Sequence, residues 1–525
     1  MGAESFRGGS MKLERSRNAI RNVSFGIVAK CGAIFFPFLS RTVFIHTLGE
    51  AYLGLNSLFS SVLTVLSLAE LGFGSAIIFC MYQPIAEDDH ETINALLLYY
   101  RRIYQYIGLV ILGIGLLLVP FLPYLVNGSC PPDINLTVVY LVFLGNTVMS
   151  YLLFGYRKAL ITAFQREDLL SKVDFFISGI ICGIQIAILL TVKNYYLYLL
   201  VLPLSTVINN IRTLLISKCK FPQYSPRGRL STEQKAIIKE KVSGLMINKV
   251  SAASRNALDS IFISMFLGLV ATAKYNNYCY VMHSIVAALK VLTDAVTAGV
   301  GNSVILESRE KNYRDMKCMN FLYMWLTGWC TICLMCMYQP FMQIWAGEKG
   351  MFPISVVALI CIYFYFLKMG DIRNLYEQAK GIWWENRFRA IAETAGNIIL
   401  NFWLGKWFGV YGIVSATLIV LLVVDFCYGS RNIYRLYFNE EKISEYYGSH
   451  IFYGIATVLV GVITFAICEM LEGGITGLIA RMVVCAVIPN ILYLLIYRKT
   501  EIYQDTKPWL FGKLFRLAKK VKTVI

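Results

Sequence analysis

The chain has 525 residues, of which 57% are hydrophobic, 14% aromatic and 15% charged. Globular chains carry about 25% charged residues, so this composition excludes a soluble multidomain enzyme, a disordered chain and a disulfide-rich scaffold. Lys and Arg outnumber Asp and Glu by 49 to 32, a formal charge of +17. In a membrane protein that excess collects in cytoplasmic loops and does not mark nucleic acid.

A bilayer core takes about 20 apolar residues per helix. After a basic head (1–21), that length predicts fourteen membrane segments: 22–40, 53–80, 104–125, 134–155, 173–192, 195–217, 244–267, 276–304, 321–345, 352–369, 386–407, 410–430, 450–470 and 475–497. With the head placed inside, alternation puts 38 Lys and Arg in the inner connections and termini and 5 in the outer connections. An error in the helix count would mix the two sets. Both termini are therefore expected to be cytoplasmic. The tail (499–525) repeats Leu510, Phe511, Leu514, Phe515, Ala518 and Val521 among lysines and arginines, the pattern of an amphipathic helix on the anionic inner leaflet.

The chain echoes itself. Phe44–Gly49 resembles Phe262–Gly268, Lys30 and Lys249 stand 219 residues apart, and Tyr156-x2-Ala159 recurs 220 residues later at Tyr376-x2-Ala379. Six crossings preserve chain direction, so the copies predict two parallel six-helix lobes, an arrangement used by transporters. The expected fold class is an all-α polytopic membrane protein. It has an N-lobe (22–217), a basic linker (218–243), a C-lobe (244–438) and a C-terminal helix pair (439–498).

Ionisable residues at membrane depth cost roughly 2.5–3.5 kcal/mol each at a helix centre, so they must face water or a partner. They are Lys30, Glu70, Lys249, Arg255, Asp259, Lys290, Asp294, Glu393 and Asp425. Arg255 with Asp259, and Lys290 with Asp294, share a helix face at i,i+4. These pairs either neutralise each other or border a wet passage. Cys330, Cys333 and Cys336 imitate a metal spacing, but no His or acid stands nearby. They read as packing residues, and no metal or resident cofactor is expected.

Several stretches together are similar to the oligosaccharide flippases of the Wzx/polysaccharide-transporter family. They are Arg41–Ile45, Leu48–Asn56, Leu66–Ile77, Tyr82–Ala86, Lys274–Tyr278, Gln339–Phe341, Trp345–Gly347, Ala392–Asn397 and Gly409–Thr417. That family belongs to the MOP superfamily, with the MATE exporters and the lipid II flippase MurJ. The resemblance implies a bacterial plasma-membrane transporter, not an enzyme, that moves undecaprenyl-pyrophosphate-linked repeat units for capsule, exopolysaccharide or O-antigen by alternating access. A polysaccharide polymerase is the protein partner it suggests. Pyrophosphate and sugar would be met by Lys30, Arg41, Lys249, Arg255, Lys290, Asn56 and Asn256. Glu70, Asp259, Asp294 and Glu393 would couple to Na+ or H+ or gate the path. A MATE-like drug antiporter and a MurJ-like lipid II flippase stay open as alternatives. A membrane glycosyltransferase is disfavoured, because the largest outer loop, around Asn127 to Asp133, holds one acid.

Overall fold

In the computed structural model, residues 15–70, 73–128, 130–382, 385–439 and 441–524 are described. All regular structure among them is helical. The chain divides into two compact units, 1–257 and 258–525.

The first unit holds α1 (Arg15–Thr47), α2 (Glu50–Leu66), α3 (Phe73–Ala86), α4 (His90–Leu117), α5 (Leu136–Leu152), α6 (Arg157–Ala163), α7 (Asp168–Thr191) and α8 (Tyr195–Lys220). The long α9 (Thr232–Leu306) runs across the boundary. The second unit continues with α10 (Arg309–Ala346), α11 (Ile354–Met369), α12 (Asp371–Lys380), α13 (Arg387–Val420) and α14 (Gly429–Leu436), then α15 (Ile443–Glu469), α16 (Gly474–Tyr497) and α17 (Glu501–Val524).

The fourteen sequence segments fall on helices, but not one to one. Eight helices among the described residues are long and apolar enough to cross a membrane, or up to ten if two bent pairs each count as one span. The second segment, expected to be continuous over 53–80, is interrupted by a short 3-10 turn at Ser67–Glu70 between α2 and α3. The third, 104–125, bends by 64° where α4 gives way to a 3-10 helix at Val119–Leu125. The linker is not loop throughout, since α9 begins at Thr232.

Two of the long helices are hairpins. Asn276 donates from Nδ2 to Ser260 Oγ at 3.1 Å, and Asn397 Nδ2 reaches Thr417 Oγ1 at 3.0 Å. Partners sixteen or twenty residues apart would stand about 24–30 Å from each other along a straight helix. The chain folds back at Gly268 (φ 84°) and Gly409 (φ 59°), inside α9 and α13. Only glycine takes these angles without strain. The second turn is also tight: a Cβ on Gly412 would lie 1.9 Å from the Leu404 carbonyl oxygen.

Left-handed residues show that the two units share one plan. Gly49 and Gly268, and Gly128 and Gly347, are each separated by 219 positions; Gln165 and Gly381, and Lys193 and Gly409, by 216. All eight have positive φ. The duplication read in the sequence is thus repeated in backbone conformation at four turns.

Side chains facing outward confirm the solvent. On α15, Ile455, Val458, Leu459 and Val462 are exposed, and on α16 Ile479, Met482, Val483 and Val487. These are i, i+3, i+4 stripes with no protein cover, a face for hydrocarbon and not for water. The chain is a multi-pass membrane protein.

Helix starts outside the bilayer are capped. The Asp89 carboxylate accepts from the Thr92 backbone N–H at 2.9 Å and begins α4. That bond, with the Thr92 hydroxyl, holds the Asp89 carboxyl below the usual carboxylate range. A depressed acid stabilises above its unfolded pKa and stops doing so as pH falls through its folded one. Asp89→Ala should therefore cost about 0.5–2 kcal/mol at neutral pH. The gap between the thermal midpoints of the two proteins should narrow as pH falls below about 4, where a free Asp carboxyl titrates. A constant gap across that range would show that the cap is not the cause.

Candidate functional site

Each unit places an acid within reach of hydroxyl or amide donors. In the first, Glu70 ends the 3-10 turn that interrupts the second segment. Tyr104 on α4 donates to its Oε1 at 2.5 Å, and Tyr151 on α5 donates to its Oε2 at 2.8 Å. Tyr100 in turn donates to the Tyr104 hydroxyl at 2.8 Å. A cavity of about 210 Å³ opens beside the carboxylate, lined also by Ser150, Lys158 and Asn210. A carboxylate, a relay of phenols and an ammonium in one small cavity can hold a proton or a small cation and move the proton along the hydroxyls.

In the second unit, Asp259 on α9 is fully buried. Its carboxylate accepts from Asn401 Nδ2 at 2.7 Å, from Thr417 Oγ1 at 3.1 Å and from Tyr275 Oη at 3.1 Å. Asn401 also donates to Asn397 Oδ1 at 3.0 Å. The hairpin turns at Gly268 and Gly409 bring these four residues to Asp259. Glu393, Asn397 and Asn401 stand at i, i+4 and i+8 on α13, one buried polar stripe. The Asn401 Oδ1 atom is buried and accepts no hydrogen bond. Oxygen atoms from Asp259, Asn401, Asn397 and Thr417 suit a hard monovalent cation, which takes oxygen ligands, and the orphaned Asn401 oxygen supplies an unused one.

A third cluster was not foreseen. Arg373 on α12 is completely buried. It pairs with Glu377 at 3.3 Å and with Asp425 at 3.2 Å, while Arg389 pairs with the same two acids at 3.3 Å and 3.1 Å. Sequence reasoning counted both arginines as part of a basic cytoplasmic connection. The available signal was Asp425, an acid at membrane depth with no partner on its own helix. The cluster has a counterpart in the first unit. Arg157 on α6 is buried and donates to Ser217 Oγ at 3.4 Å and to the Tyr224 carbonyl at 3.1 Å. Arg373 likewise donates to Ser430 Oγ at 3.1 Å and to the Phe426 carbonyl at 3.1 Å. Tyr323 also repeats Tyr104, 219 positions on, and donates to an acid, Asp371, at 2.5 Å.

The other predicted residues are distributed along the helices. Lys290 and Asp294 form the expected i,i+4 pair at 3.3 Å, and both are exposed. Lys30 is exposed on α1 with no ion-pair partner among the described residues. Arg41 is half-buried near the end of α1, Arg255 is half-buried on α9, and the neighbouring Asn256 is exposed. Asn56 accepts from the Tyr195 hydroxyl at 2.8 Å. The Lys249 side chain lies outside the described residues, as do those after Gly512 in the tail. The start of that tail does form the expected helix, α17, and Trp509 Nε1 donates to Asp315 Oδ1 at 2.6 Å.

No family model matches the chain, and no curated protein matches it. Solved structures do. The lipid II flippase MurJ, in an inward closed conformation, is similar with a TM-score of 0.65 at 12% identity, over 91% of this chain and 99% of that one. This chain has the fold of the MOP transporters. An inward-facing multidrug resistance MATE transporter of the MOP superfamily is similar at 0.62 and 13% identity, over 77% of this chain and 95% of its own. The Vibrio cholerae MATE transporter VcmN follows at 0.53 and 14% identity, over 82% and 99%.

Proposed function

We propose that this protein is a flippase that carries undecaprenyl-pyrophosphate-linked oligosaccharide units across the bacterial plasma membrane by alternating access, driven by Na+ or H+. The observation that carries this reading is the likeness to a lipid II flippase over nearly all of both chains. It takes in 91% of this chain, against 77% for the inward-facing MATE transporter. The cations at Lys30, Arg41, Lys249, Arg255 and Lys290 can replace the water shell of a pyrophosphate. Glu70 accepts from two tyrosine hydroxyls, and Asp259 accepts from a tyrosine, a threonine and an asparagine; each is an acid that can exchange a proton or a small cation. Bound there, that ion would supply the free energy that biases one conformation over the other.

The acids in both units favour a second reading, cation-coupled export of a drug-like solute. Proteoliposomes separate the two. The flippase reading expects a fluorescent undecaprenyl-pyrophosphate oligosaccharide to move between leaflets in the presence of the protein. Arg255→Ala should abolish that movement with no loss of protein from the bilayer. Lipid-linked sugar that stays in its leaflet, with ethidium driven across by an ion gradient, would sink the flippase reading in favour of the second. Lipid-linked sugar moved equally well by Arg255→Ala would remove that arginine from the path.

A further inference from the structure

We propose that Cys336, Cys468 and Cys485 form a buried three-sulfur site for a soft monovalent cation of the Cu(I) class, which ties α15 and α16 to α10. The three sulfurs come from three different helices, and all lie within 4.8 Å of one another. The Cys468 and Cys485 sulfurs are 4.0 Å apart. None of the three residues is more than 3% exposed, so the site is enclosed by protein and not by lipid.

The donor set selects the ion. Thiolate sulfur prefers Cu(I) and its soft relatives, whereas Na+, Mg2+ and Ca2+ need oxygen. A metal–sulfur bond of about 2.3 Å places the sulfurs of a trigonal site about 4.0 Å apart. One pair already stands at that separation, and the third sulfur lies within 4.8 Å of both. Of the sequence triplet, read above as packing residues, only Cys336 belongs to the site. Cys333 points its sulfur at the Cys485 carbonyl oxygen, 3.9 Å away.

Charge is balanced locally. Binding of Cu(I) to two thiolates and one thiol releases two protons and leaves one net negative charge. Arg481 is buried one helical turn before Cys485 and is fixed in place. Its Nε donates to the Cys468 carbonyl at 3.0 Å and its Nη2 to the Leu471 carbonyl at 3.1 Å. The guanidinium therefore sits where the anionic site needs a counter-charge in a low-dielectric interior.

The test is copper retention by the full-length protein, purified in detergent, reduced and kept anaerobic. Cu(I) is added as its acetonitrile complex and then challenged with excess bathocuproine disulfonate. One copper per chain should survive the challenge, and X-ray absorption should show three sulfur neighbours. Cys485→Ser and Cys336→Ser should each lower retained copper by at least tenfold, whereas Cys31→Ser and Cys427→Ser, at exposed thiols, should retain it. Each variant is compared as a monodisperse peak, so that unfolding is not mistaken for lost ligation. If Cys485→Ser does not fold, Cys336→Ser and the sulfur count on the parent protein decide. The site is refuted if the parent protein gives up all its copper, if both cluster variants keep it, or if Zn(II) is retained and Cu(I) is not.

Discussion

Arg373→Met should destabilise the second unit by about 3–5 kcal/mol, the usual cost of removing one partner from a buried ion pair. In a domain of this size that is a fall in thermal midpoint on the order of 10 °C. The geometry explains the size of the effect. Arg373 is fully enclosed and holds the carboxylates of Glu377 and Asp425 together with Arg389. Methionine fills a similar volume but leaves two carboxylates facing one guanidinium. The surroundings are shaped for that group: a Cβ on Gly370 or on Gly429 would come within 2.9 Å of an Arg373 side-chain nitrogen. Adding Asp425→Asn to Arg373→Met should recover part of the loss, because it removes the surplus negative charge. Thermal midpoints in detergent, followed by light scattering and tryptophan emission, measure both. A fall of under about 2 °C for the single variant would mean that water or a rearranged Arg389 already serves those acids.

That cluster marks where the sequence stopped being legible. Patterns carried by neighbours along one helix came through. The i,i+4 spacing of Lys290 and Asp294 is a formed pair, and the echo of Leu48-Gly49 in Leu267-Gly268 coincides with two turns of nearly identical backbone angles. Periodicity and local spacing are set by one element and need no knowledge of its neighbours. Glu70 was identified as an acid needing support, yet its partners Tyr104 and Tyr151 come from two other helices. Tyrosines in an apolar run read as packing, and nothing in their own spacing distinguishes them. Arg373 and Arg389 were hidden for a second reason. The positive-inside rule counts a basic residue by the connection it occupies. It does not distinguish an arginine facing lipid headgroups from one turned into the protein to meet an acid. The hairpin at Gly409 was read as two helices, but the polar cluster it assembles depends on which residues the turn brings face to face.

Asp259→Asn tests that cluster most directly. The substitution nearly preserves volume, and the amide oxygen can still accept from Tyr275 or Asn401. The Thr417 hydroxyl can turn to accept from the new amide. The fold should therefore hold to within about 1–2 kcal/mol, the range of one altered buried hydrogen bond. Function should not. A carboxylate sealed this deeply must carry a proton or share its charge with a cation, and the amide can do neither. If Asp259 is the coupling acid, its loss removes a coupling free energy of about 1–3 kcal/mol, a 5–150-fold drop in the ion dependence of transport. Sodium and protons are separated by the unmodified protein. Under the sodium reading, NaCl but not KCl raises its thermal midpoint, and Asp259→Asn abolishes the difference; Asn401→Leu, which removes the orphaned oxygen, weakens it. Under the proton reading the midpoint is blind to the choice of salt, and transport follows the pH gradient in the unmodified protein but not in Asp259→Asn. Transport by Asp259→Asn with undiminished dependence on both gradients would take coupling away from the second unit. The cavity at Glu70 would then be the next candidate for the ion.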